Sequence, residues 1–351
     1  MIVPAAVNET CLPAGREALF YKKTEKSNVQ CLLCPHNCLI ADGKRGLCGV
    51  RENQKGTLYS LVYGKVISSA VDPIEKKPLF HFLPGSFSYS IATVGCNLRC
   101  DFCQNWAISQ VSREQHEILG ENMTPEEVVR AALENECRSI SYTYTEPTIY
   151  FEFAYDCAKL AKEKGLKNIF VTNGYISLPA VEMIAPYLDA ANVDLKSFRD
   201  EYYRKICGGR LQPVLDAVKL MKKHKIWIEL TTLVIPGLND SNEELSEIAS
   251  FIKNELGDDV PWHVSAFYPT YKMLDRPRTP AETLIRAREI GLKAGLKFVY
   301  CGNIPIPGSE DTFCNKCKRP LIVRSGFSVL DNKLKDGKCN NCGEKVAGIW
   351  G

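Results

Sequence analysis

Three cysteines stand close together in the segment VGCNLRCDFCQNW, residues 94–106. Cys96, Cys100 and Cys103 offer three thiolates, enough to bind three irons of a cubane iron–sulfur cluster while the fourth iron lacks a protein ligand. An iron with a free coordination position is a site for chemistry. The alternative is a structural metal ion, but a tetrahedral zinc site needs a fourth ligand, and no Cys or His follows closely, so that ligand would come from elsewhere in the chain.

A second cysteine set precedes this segment, in CLLCPHNCLIADGKRGLC, and consists of Cys31, Cys34, Cys38 and Cys48. Four thiolates suit either zinc or a second iron–sulfur cluster, and the spacing does not choose between them. His36 lies between two of the cysteines and is a further candidate ligand. We therefore expect a small metal-binding module in the amino-terminal part of the chain.

A third set lies near the carboxyl end, where Cys314, Cys317, Cys339 and Cys342 form two C-x-x-C pairs with 21 residues between them. A zinc ribbon is the leading interpretation of this pattern. Rubredoxin-like iron binding and a metal-free hairpin with reduced thiols are the alternatives.

The chain has 351 residues, 16 of them cysteine. Its first residues lack the basic segment, apolar core and cleavage site of a secretory signal, and no apolar run reaches the length of about 18 residues that a membrane span needs. We therefore expect a cytoplasmic protein, in which cysteines bind metals rather than pair as disulfides. The isolated cysteines are interpreted as ordinary buried residues. They are Cys11, Cys137, Cys157, Cys207 and Cys301.

The formal net charge is only +3, and short basic runs such as residues 222–225 alternate with acidic stretches. A nucleic-acid-binding protein would show a strongly basic patch or stripe. We therefore expect no nucleic-acid partner, and interpret these lysines as solvated helix faces.

From residue 88 onward, short β-rich segments alternate with amphipathic helical segments, a pattern typical of βα units around a parallel sheet. The predicted strands are 88–94, 138–144, 167–172, 189–195, 226–235, 262–268 and 297–301. Six or seven units fall short of the eight that close a full barrel, so we predict an α/β fold with a partial (β/α)6-type barrel. The predicted domains are a Cys-rich extension (1–87), the barrel (88–307) and a zinc-ribbon-like module (308–351).

The three-cysteine segment follows the first predicted strand, at the sheet edge where such folds carry their chemistry. Its C-x3-C-x2-C spacing, with the aromatic Phe102 before the last cysteine, resembles the motif of the radical S-adenosylmethionine (SAM) superfamily, and the resemblance covers residues 88 to about 301. It implies that the amino and carboxylate groups of SAM chelate the open iron of a [4Fe-4S] cluster. One electron would then cleave SAM to methionine and a 5′-deoxyadenosyl radical.

Two later strand ends are similar to SAM-binding turns of that superfamily. YTEP (144–147) resembles its Gly-Gly-Glu-Pro turn, which implies that Glu146 accepts a hydrogen bond from the methionine ammonium group. VTNGY (171–175) resembles the Asp-Thr-Asn-Gly turn of glycyl-radical activating enzymes, which implies a SAM-binding role for Asn173. A helix-starting Glu and an ordinary Asn-Gly turn are the alternatives.

Asp194 and Lys196 are two residues apart on the fourth predicted strand and therefore project to one face. The matching Asp-x-Lys of the activating enzymes implies that Lys196 reaches the ribose or carboxylate of SAM, and an internal ion pair is the alternative. His263 shares a face of the sixth predicted strand with Ser265 and is a candidate for the cofactor or substrate pocket, although a lone strand histidine is more often structural.

Four longer segments extend the resemblance. They are CLLCPHNCLIADGKRGLCGVR (31–51), DPIEKKPLFHFLPGS (72–86), GCNLRCDFCQNWAISQ (95–110) and CNNCGEKVAGIW (339–350). Together they resemble the radical SAM member of the AmmeMemoRadiSam system, a family similar to pyruvate formate-lyase activating enzymes. The resemblance implies a Memo-like and an AMMECR-type partner protein, besides a low-potential electron donor such as flavodoxin or ferredoxin.

We therefore predict a radical SAM oxidoreductase that abstracts a hydrogen atom from a substrate that the sequence does not identify. Two alternatives stay open. One is an activating enzyme that generates a glycyl radical on a partner protein, and the other is a metal-binding interaction protein with an inert barrel. An inert barrel would have no need for the polar residues at successive strand ends.

Overall fold

The computed structural model describes residues 15–351, so the isolated Cys11 lies outside the described residues. Its centre is an eight-stranded sheet made of β1 (Ser68–Pro73), β2 (Phe87–Ala92), β3 (Ser139–Tyr142), β4 (Lys167–Thr172), β5 (Ala190–Asp194), β6 (Trp227–Val234), β7 (Trp262–Ala266) and β8 (Val299–Gly302). Neighbouring strands follow the chain order from β1 to β8. Strands β2 to β8 are parallel, and β1 pairs antiparallel with β2.

The longer helices lie in the connections between these strands. They are α1 (Pro125–Glu134), α2 (Phe151–Glu163), α3 (Leu178–Ile184), α4 (Leu211–Lys223), α5 (Asn242–Phe251) and α6 (Ala281–Ala294). Local sequence explains where some begin: Thr124 and Glu127 form a capping box before α1, and the Ser241 side chain accepts a hydrogen bond at the start of α5. No helix in residues 15–351 has the length and apolar composition needed to cross a bilayer.

The two faces of the parallel sheet differ in polarity. One face presents apolar side chains such as Ile91, Tyr142 and Phe170, which share the main core with the helices. The opposite face carries polar side chains that are nevertheless buried, namely Ser88, Ser90, Ser141, Asn192, Glu229, Thr231, His263 and Ser265. A buried polar face requires internal hydrogen-bond partners or a bound ligand.

The predicted α/β class with a parallel sheet is confirmed, and each of the seven predicted strands overlaps an observed one. The sheet is open among the described residues, because β8 and β1 are its edges. Strand β1 was not predicted: it belongs to the segment predicted as a separate extension, yet it pairs over its whole length with β2.

Short elements make up the rest of residues 15–351. The amino-terminal strands are Arg16–Glu17, Tyr21–Lys23, Val29–Cys31, Leu39–Ile40, Arg51–Gln54, Thr57–Ser60 and Lys65–Val66, the last paired with Glu121–Asn122. The carboxyl-terminal strands are Thr312–Phe313, Pro320–Ser325, Ser328–Asn332, Leu334–Lys335 and Lys338–Cys339. The short helical turns are Glu25–Ser27, Ile74–Lys76, Trp106–Ser109, Val111–Glu114, Pro147–Tyr150, Asp200–Tyr202, Tyr203–Cys207 and Ile252–Leu256.

Residues 74–86, which we call the internal segment, lie against the polar face of the sheet. The backbone N–H groups of Phe80 and His81 donate to the Glu229 carboxylate at 3.0 and 2.8 Å, and Asn192 Nδ2 donates to the Pro78 carbonyl at 2.8 Å. The internal segment therefore supplies hydrogen-bond partners to buried polar groups of β5 and β6.

The carboxyl-terminal module holds the internal segment from the other side. Arg324 is buried, its guanidinium lies over the Phe80 ring at 4.3 Å, and its Nη2 donates to the Phe80 carbonyl at 2.7 Å. Its Nε is 3.7 Å from the buried Glu75 carboxylate. Ile349 also pairs with the internal segment, through a bridge to Phe82.

His81 links the internal segment to both neighbours. Its Nε2 is 2.6 Å from the Tyr300 hydroxyl of β8, and its Nδ1 is 2.7 Å from the Ala347 carbonyl. Because a carbonyl only accepts, Nδ1 carries a hydrogen and donates to Ala347. Burial lowers the pKa of His81 from 6.5 to about 4, since the charged ring would lose its hydration.

This histidine predicts a pH dependence of folding stability. The unfolded chain binds the His81 proton more readily than the folded one, so stability is complete above pH 6.5 and falls as the pH drops towards 4. The free energy of unfolding of wild type should fall between pH 7 and pH 4, and we expect His81→Gln to reduce that fall by about 3 kcal/mol. Urea unfolding at both pH values measures it. The exposed His224→Gln variant is the control, and parallel profiles for wild type and His81→Gln would contradict a neutral, buried His81.

Candidate functional site

The three predicted cluster ligands lie in one loop just after the carboxyl end of β2. Backbone hydrogen bonds from Arg99 to the Cys207 carbonyl (2.8 Å) and from Asp101 to the Ile206 carbonyl (3.1 Å) hold this cysteine loop, residues 94–106, against the helical turn Tyr203–Cys207. Gly209 continues that turn, and a Cβ there would lie only 2.7 Å from Leu98 Cδ2. A glycine at this position therefore allows the close approach.

The thiols of the cysteine loop are buried or partly buried and lie close enough to affect one another's ionisation. Burial raises the pKa of Cys96, and the charges of Glu146, Cys100 and Cys103 raise it further. The pKa of Cys103 is likewise raised by burial, and a hydrogen bond from Ser109 opposes that rise. Thiolates crowded in this way need a cationic metal centre to stay deprotonated.

Hydrogen-bond donors lie beside the sulfur atoms of Cys96 and Cys103. The Leu98 N–H lies 3.4 Å from Cys96 Sγ, Asn173 Nδ2 lies 3.7 Å from the same sulfur, and the Ser109 hydroxyl lies 3.2 Å from Cys103 Sγ. Three soft ligands, two of which have donors directed at their sulfurs, fit an anionic iron–sulfur cluster, whose properties depend on such hydrogen bonds.

Glu146 connects two strand ends beside Cys96. Its Oε1 accepts hydrogen bonds from Thr148 N (3.0 Å), Thr148 Oγ1 (2.6 Å) and Thr172 Oγ1 (2.8 Å), whereas Oε2 accepts one, from Asn173 N at 2.8 Å. Burial raises the pKa of Glu146, and these donors oppose the rise. Oε2 therefore retains capacity to accept a further hydrogen bond.

Asn173 joins the turn after β4 to the cysteine loop. Its Nδ2 donates to Asn97 Oδ1 at 2.9 Å and its Oδ1 accepts from the Tyr175 N–H at 2.8 Å. Asn97 in turn donates to the Tyr175 carbonyl at 2.7 Å. The predicted residues Glu146 and Asn173 are thus brought together with Cys96 in one network.

Asp194 and Lys196 form an ion pair at the carboxyl end of β5. Lys196 Nζ donates to Asp194 Oδ2 at 2.9 Å and lies 5.7 Å above the Phe102 ring of the cysteine loop. Burial opposes the charge on Lys196, but Asp194 and the nearby Cys100 outweigh it and raise the pKa of this lysine well above its usual value. Lys196 therefore stays charged beside the cysteine loop.

His263 lies away from this network. It is on the same polar face of the sheet, but its Nε2 is 2.7 Å from Glu229 Oε2 and its ring packs against Phe80 and Tyr300. Burial opposes ionisation of Glu229, but the hydrogen bonds from His263 and Trp227 together with the charges of His263 and His81 lower the pKa of Glu229 overall. These are contacts of a structural residue, and a cofactor or substrate role for His263 stays a prediction.

Cys207 is a neighbour of the site that the sequence analysis treated as an isolated buried residue. Its thiol lies against Cys100 and, ahead of burial, is the main reason that the pKa of Cys100 is raised. The only sequence feature that could have indicated a close approach of Cys207 to the cysteine loop is the Gly-Gly pair that follows it. Within residues 15–351, Cys207 does not complete a compact four-ligand metal site with the cysteine loop.

A second feature missing from the sequence analysis is a buried cluster of Asp72, Lys77 and Tyr144. Lys77 Nζ donates to Asp72 Oδ2 at 2.6 Å and lies 4.6 Å above the Tyr144 ring, and the Tyr144 hydroxyl also donates to Asp72. Burial lowers the pKa of Lys77 to about 8, and Asp72 opposes that shift. Tyr144 has φ +61°, the left-handed region that the glycines of the related turn favour. Its carbonyl accepts from Asn105 of the cysteine loop at 2.7 Å.

The carboxyl-terminal cysteines form a compact metal-binding group. The ligand atoms of Cys314, Cys317, Cys339 and Cys342 all lie within 4.8 Å of one another, with the Cys314–Cys342 and Cys317–Cys339 sulfurs 3.6 and 3.7 Å apart. Four sulfurs bound to one zinc ion at about 2.3 Å are separated by similar distances in a tetrahedron. The group fits a single tetrahedral metal ion.

The comparison with known proteins agrees with this geometry. A model of the radical SAM superfamily matches residues 90–252. An uncharacterised protein of Methanocaldococcus jannaschii is 46% identical over 333 residues, which cover 94% of this chain and 98% of that protein. The chain belongs to the radical SAM superfamily.

The chain is also similar, at lower sequence identity, to an activating enzyme. The pyruvate formate-lyase-activating enzyme of Clostridium pasteurianum is 26% identical over 182 residues, which cover 48% of this chain and 72% of that enzyme. Among solved structures, a radical SAM methyltransferase from Sphaerobacter thermophilus is 18% identical with a TM-score of 0.49, covering 63% of this chain and 67% of that chain.

The compact carboxyl-terminal group predicts one tightly bound zinc ion per chain. Cys314→Ala removes one of four ligands, so we expect loss of that zinc and a lower melting temperature, because structural zinc contributes directly to folding. Elemental analysis and thermal unfolding measure both effects. Cys137→Ala, which removes a buried thiol outside the group, should keep the zinc. Iron with a rubredoxin-like spectrum at this site would contradict the zinc assignment.

Proposed function

We propose that the protein reductively cleaves SAM at a [4Fe-4S] cluster bound by Cys96, Cys100 and Cys103, and uses the radical to abstract hydrogen from a substrate. The observation that carries this proposal is the network joining the cysteine loop to Glu146 and Asn173 at the carboxyl ends of β3 and β4. When bound, the cluster would supply an electron to the sulfonium of SAM, which yields the 5′-deoxyadenosyl radical.

The residues of the chain would bind and orient SAM at this edge. Glu146 Oε2, held by Asn173 N, would accept a hydrogen bond from the SAM ammonium group. Lys196, fixed by Asp194, would place a positive charge towards the carboxylate or ribose hydroxyls. Because the internal segment already covers Asn192, Glu229 and His263, the substrate would meet the radical farther along the sheet, beside the carboxyl ends of β5 to β7.

A second candidate is activation of a glycyl radical protein. It is favoured by the similarity to the Clostridium pasteurianum activating enzyme and by the Asn-Gly turn after β4. In this case the substrate is a loop of a partner polypeptide, and the reductant is a flavodoxin or ferredoxin.

The finer assignment to the AmmeMemoRadiSam system rests on the four sequence segments quoted above. It adds a Memo-like and an AMMECR-type protein as proposed partners, and a cytoplasmic location remains part of the same proposal. Assay of SAM cleavage with and without both partner proteins would test it, since a partner that is or carries the substrate should increase 5′-deoxyadenosine formation.

Two variants test the main proposal. After anaerobic reconstitution and reduction, wild type should form 5′-deoxyadenosine from SAM, and Cys96→Ala should form none above background. Glu146→Gln should bind SAM about tenfold more weakly or worse, because a hydrogen bond to a charged group contributes about 1.5–3 kcal/mol. Chromatographic product analysis and equilibrium SAM binding measure these outcomes.

The exposed Glu163→Gln variant is the matched control for the loss of one carboxylate. Equal SAM affinity in wild type and both Gln variants would show that Glu146 does not bind SAM. If wild type with an intact cluster forms no 5′-deoxyadenosine, the protein is instead an interaction module with an inert barrel.

A further inference from the structure

We propose that Cys31, Cys34, Cys38 and Cys48 bind an iron–sulfur cluster, and that this amino-terminal cluster passes electrons to the cysteine loop. The second part rests on the function proposed above, whereas the first is independent of it. The sequence left zinc and a cluster as equal alternatives for this set, and the structure favours the cluster.

The separation of the four thiols favours a cluster over a single zinc ion. Within residues 15–351, the Cys314 set is the only group of three or more metal-ligand side chains whose ligand atoms all lie within 4.8 Å of one another. No three of the four amino-terminal thiols meet that limit, and neither does the cysteine loop. Thiolates that bind separate irons of a cluster must stand farther apart than thiolates that share one zinc ion. By this criterion the amino-terminal set resembles the cysteine loop.

The four thiols nevertheless converge on one space. They line a single small cavity together with apolar side chains that include Leu33 and Ile40. Their mutual proximity and apolar surroundings suit a buried group that carries its own cationic metal.

Arg51 supplies independent evidence that an anionic group belongs in this cavity. The side chain is 2% exposed and lines the cavity. Its Nη1 donates to Glu152 at 3.0 Å and its Nη2 donates to the Leu19 carbonyl at 2.5 Å, but its buried Nε has no hydrogen-bond partner. A buried N–H without an acceptor is costly, and the sulfur atoms of a bound cluster would supply that acceptor.

The amino-terminal set is packed directly onto the cysteine loop. His36 Nε2 is 2.7 Å from the Asn97 carbonyl, next to Cys96 in the chain. Arg113 spans both loops, since its Nε donates to the Leu47 carbonyl at 2.8 Å and its Nη2 to the Cys96 carbonyl at 3.0 Å. At Gly95, which has φ +101°, a Cβ would lie 2.7 Å from Val50 Cγ1 and 3.2 Å from the Cys48 carbonyl.

This packing provides a short route for electrons. Cys34 is connected along the chain through Pro35 to His36, and the His36 ring is hydrogen-bonded to the Asn97 carbonyl. Asn97 directly follows Cys96 in the chain. In each transfer the amino-terminal cluster is oxidised by one electron and the cluster of the cysteine loop is reduced by one. A one-electron protein donor of low potential, such as a flavodoxin or ferredoxin, then reduces the amino-terminal cluster again.

The cluster itself is tested in a protein that lacks the cysteine loop ligands. After anaerobic reconstitution with iron and sulfide, Cys96→Ala/Cys100→Ala/Cys103→Ala should retain about two to four irons with matching sulfide, and show an iron–sulfur electron paramagnetic resonance signal when reduced. Adding Cys31→Ala and Cys34→Ala should abolish both. A triple variant without iron and sulfide but with a second zinc, besides the one expected at Cys314, would overturn the proposal.

The electron route is tested by comparing two reductants. Dithionite is small and can reduce the cysteine loop cluster directly, whereas flavodoxin must use a docking route. We expect the ratio of flavodoxin-driven to dithionite-driven 5′-deoxyadenosine formation to fall at least tenfold in Cys31→Ala/Cys34→Ala relative to wild type. An unchanged ratio would overturn the relay. Absence of product in wild type with either reductant would overturn the proposed function instead, and would leave the iron analysis of the triple variant valid.

Discussion

Thiols that are buried together resist ionisation, and the functional edge of this protein is organised around that constraint. Cys96, Cys100 and Cys103 each have a raised pKa, through burial, through one another and, for Cys100, chiefly through Cys207. Such a group is suited to holding a cationic metal centre and poorly suited to remaining as free thiolates. The donors from Leu98, Asn173 and Ser109 then stabilise the sulfurs at fixed positions.

Burial of polar groups also governs one face of the central sheet. A parallel sheet normally buries apolar side chains on both faces. Here one face carries Glu229, Asn192 and His263, so the chain must supply partners for them. The backbone of the internal segment bonds Glu229 and Asn192, and Glu229 in turn bonds His263. The carboxyl-terminal module anchors that segment through Arg324 and Ala347. The carboxyl-terminal module thus has a structural role towards the sheet besides its capacity to bind metal.

The three cysteine sets differ in geometry in a way that their sequence spacing does not reveal. The carboxyl-terminal thiols are compact enough to share one ion, whereas the other two sets are wider and lie in contact through Asn97, His36 and Arg113. A single chain therefore combines a cysteine group compact enough for one metal ion, far along the sequence, with two adjacent and wider groups. The buried Nε of Arg51, which has no hydrogen-bond partner, supports the proposal that an anionic group binds in the amino-terminal cavity.

The sequence by itself determined the order of strands and helices, because the alternation of β-rich and amphipathic segments is a local property. It also predicted the three cysteine sets from their spacing. Short motifs at strand ends predicted Glu146, Asn173 and the Asp194–Lys196 pair as site residues. Tertiary structure alone decided what joins these motifs. Strand β1 pairs with β2, Cys207 meets Cys100, and Tyr144 covers Asp72 and Lys77, all through contacts between residues distant in sequence. Likewise, the separation of thiols, which distinguishes a single ion from a cluster, depends on how the loops pack, and no spacing along the chain records it.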